Sequence, residues 1–317
     1  MIGEFDLINR FFAPLAGEAG LGLTDDAAFY TPPMGQDLII SKDMLVADVH
    51  FFKGDAPRDI AEKALAVNLS DLAAKGAKPV GYMLGISLND DINETWLEGF
   101  VEGLSDMQEA YSIALFGGDT VKGNGPLTIS ITVFGTVLGG TGVKRSTARA
   151  GDLLCVTGTI GDAALGLKQR EGKLKVGHHH FLNCYLHPVP QQLLGQKLPQ
   201  VASAAMDISD GLMADAAHMA KSSGVAITVH ADKIPFSKET QDVLAEDKVF
   251  EWAVTGGDDY QLLIAVNPAK RATLQHLSDE VGITVTDIGT LTAGEGAELL
   301  DADGKSLHFN KTGFTHS

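Results

Sequence analysis

The sequence predicts a two-domain α/β (α+β) protein. Runs of β-branched and other apolar residues, typical of strands, alternate with helical segments along the 317 residues, and 36 glycines punctuate them. Hydrophobic residues make up 44% of the chain, which is enough to fill the core of each domain. The alternation restarts after Ala148. We therefore predict an N-terminal domain over residues 1–148 and a C-terminal domain over residues 149–317.

The N-terminal half is predicted to contain four strands around one long helix. The helix begins near Pro57, carries apolar residues at helical spacing, and ends before Gly76 and Pro79, so Asp71 falls in its last turns. The predicted elements are the strands Leu38–Ser41 and Met44–Phe52 on either side of Asp43, the helix Pro57–Lys75, and the strands Ser112–Phe116 and Leu127–Leu138.

The C-terminal half opens with a strand, a turn and a helix. Leu153–Thr157 is predicted as the strand, Gly158–Gly161 as the turn, and Asp162–Gln169 as the first part of the helix. Further along, His178–His180 lies in a polar connector. Three adjacent histidines cannot all point the same way in a helix or strand, so we expect a solvated loop there and not a metal site.

The charge balance argues against several classes of partner. The chain has 24 Lys and Arg against 41 Asp and Glu, a formal charge of −17, which disfavours nucleic acid and anionic membranes. It contains two cysteines without CxxC spacing, and we find no secretory leader and no long apolar run. We therefore expect a cytoplasmic protein that binds neither nucleic acid nor membrane.

Aspartate next to glycine or another small residue recurs at predicted strand ends and turns. The segments are Leu23–Ala28, Ser41–Asp43, Phe116–Thr120, Met206–Leu212 and Thr255–Tyr260, with Asp71 added from the predicted helix. Any one of them is explained by a turn or a helix cap. As a set, they would repel one another unless a cation lay between them, and carboxylate oxygens favour Mg²⁺ or Ca²⁺. Several aspartates beside glycines suggest ions that bridge to a polyphosphate, with Lys42 and Arg145 as candidate phosphate-binding cations.

Several familiar nucleotide-binding and catalytic motifs are absent from the sequence. It contains no GxxxxGK[ST], no GxGxxG after a strand, no HRD or DFG, and no GxSxG. These absences exclude P-loop, Rossmann and protein-kinase sites and the nucleophile elbow. A triphosphate bound here would have to be held through metal ions.

In this order, the motifs resemble the thiamine-monophosphate kinase family of the AIR synthetase (PurM-like) superfamily, over almost the whole chain. The matching segments are GEFDLI, TDDAA, KDMLVADVHF, KALAVNLSDLAAKGAKP, FGGDT, KRS, MDISDGL and GGDDYQLL. The resemblance implies transfer of the γ-phosphoryl group of ATP to thiamine monophosphate, with several Mg²⁺ ions. It also implies a PurM-like fold in which an N-terminal α/β domain dimerises through its sheet and a C-terminal α/β domain closes the active-site cleft.

Carried over residue by residue, the resemblance assigns a set of site residues. The Mg²⁺-binding and catalytic carboxylates would be Asp43, Asp71, Asp119 and Asp207, and further metal ligands would be Asp26, Ser41, Asp210 and the backbone carbonyl of Lys42. Gly118, Asp119, Arg145 and Ser209 would contact the nucleotide. His50, Asp258 and Phe314 would contact thiamine monophosphate, although His50, between Val49 and Phe51, is also readable as a core histidine.

The sequence departs from the family pattern at a few positions. Thr24 stands where a glycine is usual, Lys42 where a threonine is common, and GGDDYQL replaces a GGED-YEL pattern. Two alternatives remain beside the kinase: another ATP-dependent PurM-like enzyme such as AIR synthetase, and a catalytically silent protein that binds Mg²⁺ and nucleotide.

Overall fold

The computed structural model describes residues 4–309 and residue 313, and the chain divides into two compact units. The first contains the residues up to Leu72 together with Ala77–Gly140. The second contains Ala73–Gly76 and the residues from Thr141 onward.

The first unit is built on a four-stranded sheet with the order β1-β4-β2-β3. The strands and helices are β1 (Gln36–Val46), β2 (Lys78–Leu88), β3 (Leu115–Lys122), β4 (Thr128–Leu138), α1 (Glu4–Leu7), α2 (Pro57–Ala74) and α3 (Glu94–Tyr111). Strand β4 pairs antiparallel with both β1 and β2, whereas β3 adds to β2 in parallel. Strands β1 and β3 are therefore the two edges of this sheet.

Burial alternates along β1 because successive side chains point to opposite faces of a strand. Ser41 and Asp43 are half-buried, whereas Ile40, Lys42 and Met44 on the other face are exposed. Helix α2 lies against the half-buried face, since its side chains bond to Ser41 and to the backbone of Asp43.

Several predicted elements of this unit are confirmed, and two are wrong. Helix α2 and strand β4 lie where they were predicted. The two predicted strands around Asp43 form one continuous strand, and the chain turns after Val46, where Asp48 has a positive φ of 61°. The strand predicted at Ser112–Phe116 begins at Leu115 instead, because Ser112 ends α3 in the left-handed conformation.

The second unit is built on a seven-stranded sheet with the order β11-β10-β7-β9-β5-β8-β6. Its strands are β5 (Leu153–Thr157), β6 (Ala202–Asp207), β7 (Ala226–His230), β8 (Leu262–Val266), β9 (Val285–Thr292), β10 (Gly296–Leu300) and β11 (Ser306–Leu307). Its helices are α4 (Asp162–Arg170), α5 (His179–Leu186), α6 (Gln192–Gly195), α7 (Leu212–Ser223), α8 (Lys238–Val243), α9 (Val249–Thr255) and α10 (Arg271–Val281).

Both faces of the central strands in this sheet are buried. Leu154 and Val156 of β5 belong to one hydrophobic cluster, and Cys155 between them belongs to another. Strand β5 and helix α4 confirm their predictions. The loop predicted at His178–His180 is wrong, because helix α5 begins at His179 and buries Phe181 and Tyr185. Among the described residues, no helix is long and apolar enough to cross a membrane.

Candidate active site

Asp43 and Asp71 form a carboxylate pair between β1 and α2. The Ser41 hydroxyl donates a hydrogen bond to Asp71 Oδ2. The Asp43 N–H donates to Asn68 Oδ1 at 3.0 Å, and the Asn68 amide donates in turn to the carbonyl of Ala64 at 2.9 Å. Asn68 is fully buried in α2, so its side chain fixes the position of this part of β1.

The electrostatics of this pair fit a divalent cation. Burial, and then the neighbouring negative charge of Asp71, raise the pKa of Asp43 to about 6. Two neighbouring half-buried carboxylates are stabilised by a cation that prefers oxygen ligands, and the Ser41 hydroxyl adds a third kind of oxygen ligand. The donor set therefore suits Mg²⁺.

Lys42 contributes differently from its neighbours on β1. Its side chain lies on the exposed face of the strand, where its ammonium group donates to the Ser130 hydroxyl on β4. Ser41 and Asp43 lie on the opposite face. A metal contact from Lys42 would therefore use its backbone carbonyl, and the side chain is not directed to the face that carries Asp43.

Asp26 and Asp119 line a separate cavity of about 230 Å³ in the first unit, together with Asp25, Gly117 and Gly118. Its three carboxylates lie beside Gly117 and Gly118, so the cavity suits a hydrated cation with a phosphate group. Asp119 lies within β3, opposite Gly85 of β2. This Asp–Gly segment was expected at a strand end or turn, and the strand instead continues through it to Lys122.

Gly118 is required by the packing of β3 on β2. A Cβ atom at this position would lie 2.0 Å from the carbonyl oxygen of Leu84, a distance that no side chain tolerates. At Gly117, the same atom would be 3.3 Å from the end of the flexible Met83 side chain. The close approach of the two backbones explains the glycine at 118, whether or not a nucleotide contacts it.

His50 lies in the turn that follows β1. Its ring Nδ1 accepts a hydrogen bond from the backbone N–H of Val46 at 3.1 Å. The backbone N–H of His50 donates to the Val46 carbonyl at 3.0 Å. With Nδ1 accepting, the proton of the neutral ring resides on Nε2. The histidine is half-buried and helps to close the turn.

In the second unit, Asp207 ends strand β6, and a turn through Ser209 and Asp210 leads into α7. The Asp215 carboxylate on α7 accepts the backbone N–H groups of both Ser209 and Asp210, each at 3.0 Å. Burial, followed by the charges of Asp207 and Asp210, raises the pKa of Asp215 to about 8. Asp207 and Asp215 are buried, so these acidic groups too would be stabilised by a cation.

The GGDDY segment packs directly on this turn. The Asp258 N–H donates to the Ser209 carbonyl at 3.0 Å, and a Cβ atom at Gly257 would lie 2.2 Å from the same oxygen. Asp258 has a positive φ of 72° and is half-buried. Asp259 is buried, and its carboxylate accepts the Gly161 N–H at 2.9 and 3.0 Å. The two adjacent aspartates therefore differ: Asp259 is bound inside the unit, and Asp258 is more accessible.

Arg145, a predicted nucleotide contact, lies beside the end of α7. Arg145 is exposed, and its carbonyl accepts hydrogen bonds from the hydroxyls of Ser222 and Ser223 at the end of α7. Gly313 lies against α7, where an added Cβ atom would be 2.3 Å from Ala214 Cβ. Phe314, the residue after it, lies outside the described residues.

Two family models match most of the chain. Residues 24–137 match the N-terminal domain of AIR synthase related protein, and residues 149–301 match its C-terminal domain. The thiamine-monophosphate kinase of Salmonella typhimurium is 39% identical, over 99% of this chain and 98% of that protein. The Escherichia coli K12 thiamine-monophosphate kinase is 37% identical, again over 99% and 98%.

The chain belongs to the thiamine-monophosphate kinase family. Solved structures agree: the thiamine-monophosphate kinase from Stenotrophomonas maltophilia superimposes with a TM-score of 0.85 at 37% identity, over 96% of this chain and 98% of that one. The structure of AaThiL complexed with AMPPCP and TMP superimposes with a TM-score of 0.79 at 29% identity, over 99% of this chain and 97% of that one. The predicted family and the PurM-like two-domain α/β fold are thereby confirmed.

A more distant likeness concerns the fold alone. The hydrogenase maturation protein HypE in complex with ATP superimposes with a TM-score of 0.80 at 19% identity, over 98% of this chain and 95% of that one. The same scaffold thus occurs at low sequence identity outside the thiamine-monophosphate kinases.

For this kinase family member, the predicted carboxylates fall into three groups. Asp43 pairs with Asp71, Asp26 and Asp119 line one cavity, and Asp207 and Asp210 lie with Asp215 in the second unit. Among the described residues that line the cavity, neither Asp43 nor Asp71 appears. The first two groups belong to the first unit, and the third belongs to the second unit.

Three residues of these groups were not assigned a role from the sequence. Asn68 and Asp215 act through hydrogen bonds to the backbone beside predicted ligands, and His218 Nε2 lies 3.8 Å from Asp210 Oδ2. Asn68 lies in the predicted helix, but its position there does not indicate the hydrogen bond to Asp43. Asp210 and Asp215 are five residues apart in the sequence. This spacing indicates a hydrogen bond between the Asp215 side chain and the Asp210 backbone only when a helix is known to begin between them.

Proposed function

We propose that this chain is an ATP-dependent kinase that phosphorylates thiamine monophosphate to thiamine diphosphate. The observation that carries the proposal is likeness over the full length to thiamine-monophosphate kinases, including a solved complex with AMPPCP and TMP. The three carboxylate groups support it, because each belongs to a segment that resembles a motif of this family.

The proposed reaction is direct in-line transfer between two bound phosphates. The acceptor oxygen belongs to a phosphate monoester, whose second pKa is about 6, so the acceptor is already largely ionised near neutral pH. No general base is then needed, and the task of the protein is to position two anions and offset their repulsion. No covalent phosphoenzyme is part of this proposal.

We further propose that the carboxylates hold several Mg²⁺ ions. Asp26, Asp43, Asp71, Asp119, Asp207 and Asp210, with the Ser41 hydroxyl and the Lys42 carbonyl, would provide the oxygen ligands. Bound Mg²⁺ supplies positive charge that stabilises the transferring phosphoryl group. The raised pKa of Asp43, caused by burial and by Asp71, supports this assignment because it marks a site short of positive charge.

The remaining predicted residues are proposed to orient the two substrates. Gly118, Asp119, Arg145 and Ser209 would contact the nucleotide. His50, Asp258 and Phe314 would contact thiamine monophosphate, with a carboxylate and an aromatic ring suited to its thiazolium cation. The exposed guanidinium of Arg145 and the accessible position of Asp258 support these roles.

An assay of ATP consumption with different acceptors tests the function. ADP should form with Mg²⁺ and thiamine monophosphate together, and not when either is omitted. ADP formation with formylglycinamidine ribonucleotide in place of thiamine monophosphate would support an AIR synthetase instead. Absence of ADP with every phosphorylated acceptor would support a silent nucleotide-binding protein.

Asparagine variants test the carboxylate assignment. Asp71→Asn and Asp119→Asn remove a charge with little change in shape, so kcat should fall by orders of magnitude while the circular dichroism spectrum is retained. Asp91→Asn is a matched control, because Asp91 is exposed and belongs to none of the three groups. Turnover near the wild-type value in both site variants would contradict the assignment.

We also propose a cytoplasmic homodimer. The exposed face of β1 carries Leu38, Ile40 and Met44, which are 39%, 57% and 53% exposed, and Met83 of β2 is 39% exposed. Apolar side chains grouped on one sheet face are characteristic of a protein interface. The two free cysteines support a reducing compartment.

A further inference from the structure

Asp162, His180 and Cys184 form a compact cluster in the second unit, apart from the carboxylate groups described above. One possible ligand atom of each residue lies within 4.8 Å of those of the other two. His180 Nε2 lies 3.2 Å from Asp162 Oδ2 and 3.7 Å from Cys184 Sγ. Asp162 begins α4, and the other two residues lie one helical turn apart on α5.

Two of the three separations are close to those of ligands around one tetrahedral ion, and the third, between Asp162 and Cys184, is within 4.8 Å. With metal–ligand bonds of about 2.0–2.3 Å, tetrahedral geometry places nitrogen about 3.3 Å from oxygen and about 3.6 Å from sulfur. The two distances in the cluster are close to these values without any rearrangement. Without an ion, the same atoms form an ion pair between His180 and Asp162 and a hydrogen bond between the Cys184 thiol and His180 Nε2, so the imidazole joins the two other groups.

The Asp162 carboxylate is held rigidly in place. The hydroxyls of Ser237 and Thr240 donate to its Oδ1 at 2.5 and 2.7 Å, and the Thr159 hydroxyl donates to its Oδ2 at 2.6 Å. The side chain is 4% exposed, whereas that of His180 is 37% exposed. Outer hydrogen bonds of this kind orient metal ligands, and the accessible histidine leaves a path for an ion to enter.

The surroundings of the thiol are negatively charged. The carboxylates of Asp162, Asp259 and Glu239 lie close enough to the Cys184 thiol to act on it electrostatically. The same carboxylates attract cations.

We propose that Asp162, His180 and Cys184 bind a divalent transition-metal ion of the Zn²⁺ class, with three protein ligands and the fourth position open. Thiolate and imidazole ligands select Zn²⁺ or Co²⁺ over Mg²⁺, which prefers oxygen. The site is independent of the Mg²⁺ proposed for phosphoryl transfer. A bound ion would link the start of α4 to α5 and so stabilise the second unit.

Co²⁺ binding to the full-length, tag-free protein tests this site. One equivalent of Co²⁺ should produce the d–d bands of a tetrahedral ion and a thiolate-to-cobalt charge-transfer band, and Zn²⁺ should abolish both while millimolar Mg²⁺ does not. Cys184→Ser should lose the charge-transfer band, and His180→Ala should weaken Zn²⁺ binding by at least about 100-fold. His179→Ala, an exposed neighbour on the same helix, should bind like the wild type.

Thermal unfolding provides a second readout that does not depend on catalysis. Zn²⁺ should raise the Tm of the wild type and of His179→Ala, and should not raise that of Cys184→Ser. Co²⁺ spectra without a thiolate band, or equal affinity in wild type and Cys184→Ser, would overturn the proposal. Circular dichroism of the metal-free variants checks that each of them is folded.

Discussion

Single side chains in this kinase family member act on the backbone that carries the proposed ligands. Asn68 accepts the N–H of Asp43, and Asp215 accepts those of Ser209 and Asp210. Neither side chain needs to contact a substrate for its loss to matter. Such residues position the site, and their effect on catalysis is measurable.

Replacing Asp215 tests this positioning role. Asp215→Asn keeps an oxygen that accepts the two N–H groups, whereas Asp215→Ala leaves both without their acceptor at a cost of about 1–3 kcal/mol. We expect kcat to fall about 10- to 100-fold in the alanine variant and clearly less in the asparagine variant. Steady-state kinetics of both proteins checks this, and equal losses would contradict a role based on hydrogen bonding.

Tyr82 gives a prediction for alkaline pH. The side chain is fully buried, and burial raises its pKa, although a hydrogen bond from the Gln108 amide at 3.1 Å opposes the shift. In the unfolded chain a tyrosine ionises near pH 10, so between that pH and the higher folded pKa the native state binds more protons. The stability contributed by the neutral ring is therefore complete below about pH 10 and is lost as the pH rises through the folded pKa.

Tyr82→Phe should remove this dependence. The free energy of unfolding of the wild type should fall more steeply above about pH 10 than that of the variant, by one proton equivalent. Denaturant titrations between pH 8 and pH 11 measure the two slopes. Parallel slopes would show that Tyr82 ionises equally easily in both states.

At the residue scale, the proposed aspartate ligands could be predicted from the sequence, but the side chains that position them through hydrogen bonds could not. An Asp–Gly motif is visible in the sequence, and its chemistry follows from the carboxylate. The hydrogen bonds of Asn68 and Asp215 depend on which backbone atoms the fold brings near them, and this is not contained in any local pattern.

Among the elements, edge strands carry several of the proposed ligands. Asp43 and Asp119 lie in β1 and β3, the two edges of the first sheet, and Asp207 ends β6 at an edge of the second. Polar residues are tolerated at edges, where one side of the strand lacks a pairing neighbour. Ser41–Asp43 and Phe116–Thr120 were expected at strand ends or turns, because aspartate and glycine have low strand propensity, and both segments lie within strands.

Helix α5 illustrates the same difficulty. The three histidines at its start suggested a polar loop, but the helix is stabilised by burial of Phe181 and Tyr185 in the second unit. Tertiary packing thus overrides local composition. This matters for the proposed metal site, because a helix brings His180 and Cys184 within one turn of each other, whereas a strand would hold them much further apart.

Gly118→Ala tests the packing of β3 on β2. The added methyl group would lie 2.0 Å from the Leu84 carbonyl oxygen, so the strands must separate, and we expect a loss of about 1–3 kcal/mol or more in stability. Gly117→Ala is the matched control, since its methyl group would meet the movable end of Met83. Thermal unfolding should show a large decrease in Tm for the first variant and a small one for the second. Equal Tm values would refute the packing argument.

At the scale of the whole molecule, the exposed face of β1 predicts self-association. Ile40→Glu places a charge in the apolar group of that face and should convert a dimer into a monomer. Val189→Glu is the control, because Val189 is 61% exposed and belongs to the second unit. Analytical ultracentrifugation distinguishes the outcomes, and a wild-type monomer or a dimeric Ile40→Glu variant would contradict the proposed interface.

The net charge of −17 bears on how substrates reach the protein. ATP and thiamine monophosphate are both anions, so the average field of the chain opposes their approach. The aspartates are clustered in three groups, and metal ions bound to these groups would make the local electrostatic potential positive. The net charge alone argues against polyanionic partners. The three carboxylate groups restrict this argument to polyanions that bind without metal ions.

The most direct measurement is the fate of the γ-phosphate. In the presence of Mg²⁺, thiamine monophosphate and ATP labelled in that group, the label should appear in thiamine diphosphate in a one-to-one ratio with ADP. Asp71→Asn should transfer it at a rate lower by orders of magnitude. Label recovered as inorganic phosphate or on the protein, with none in thiamine diphosphate, would contradict the proposed kinase activity.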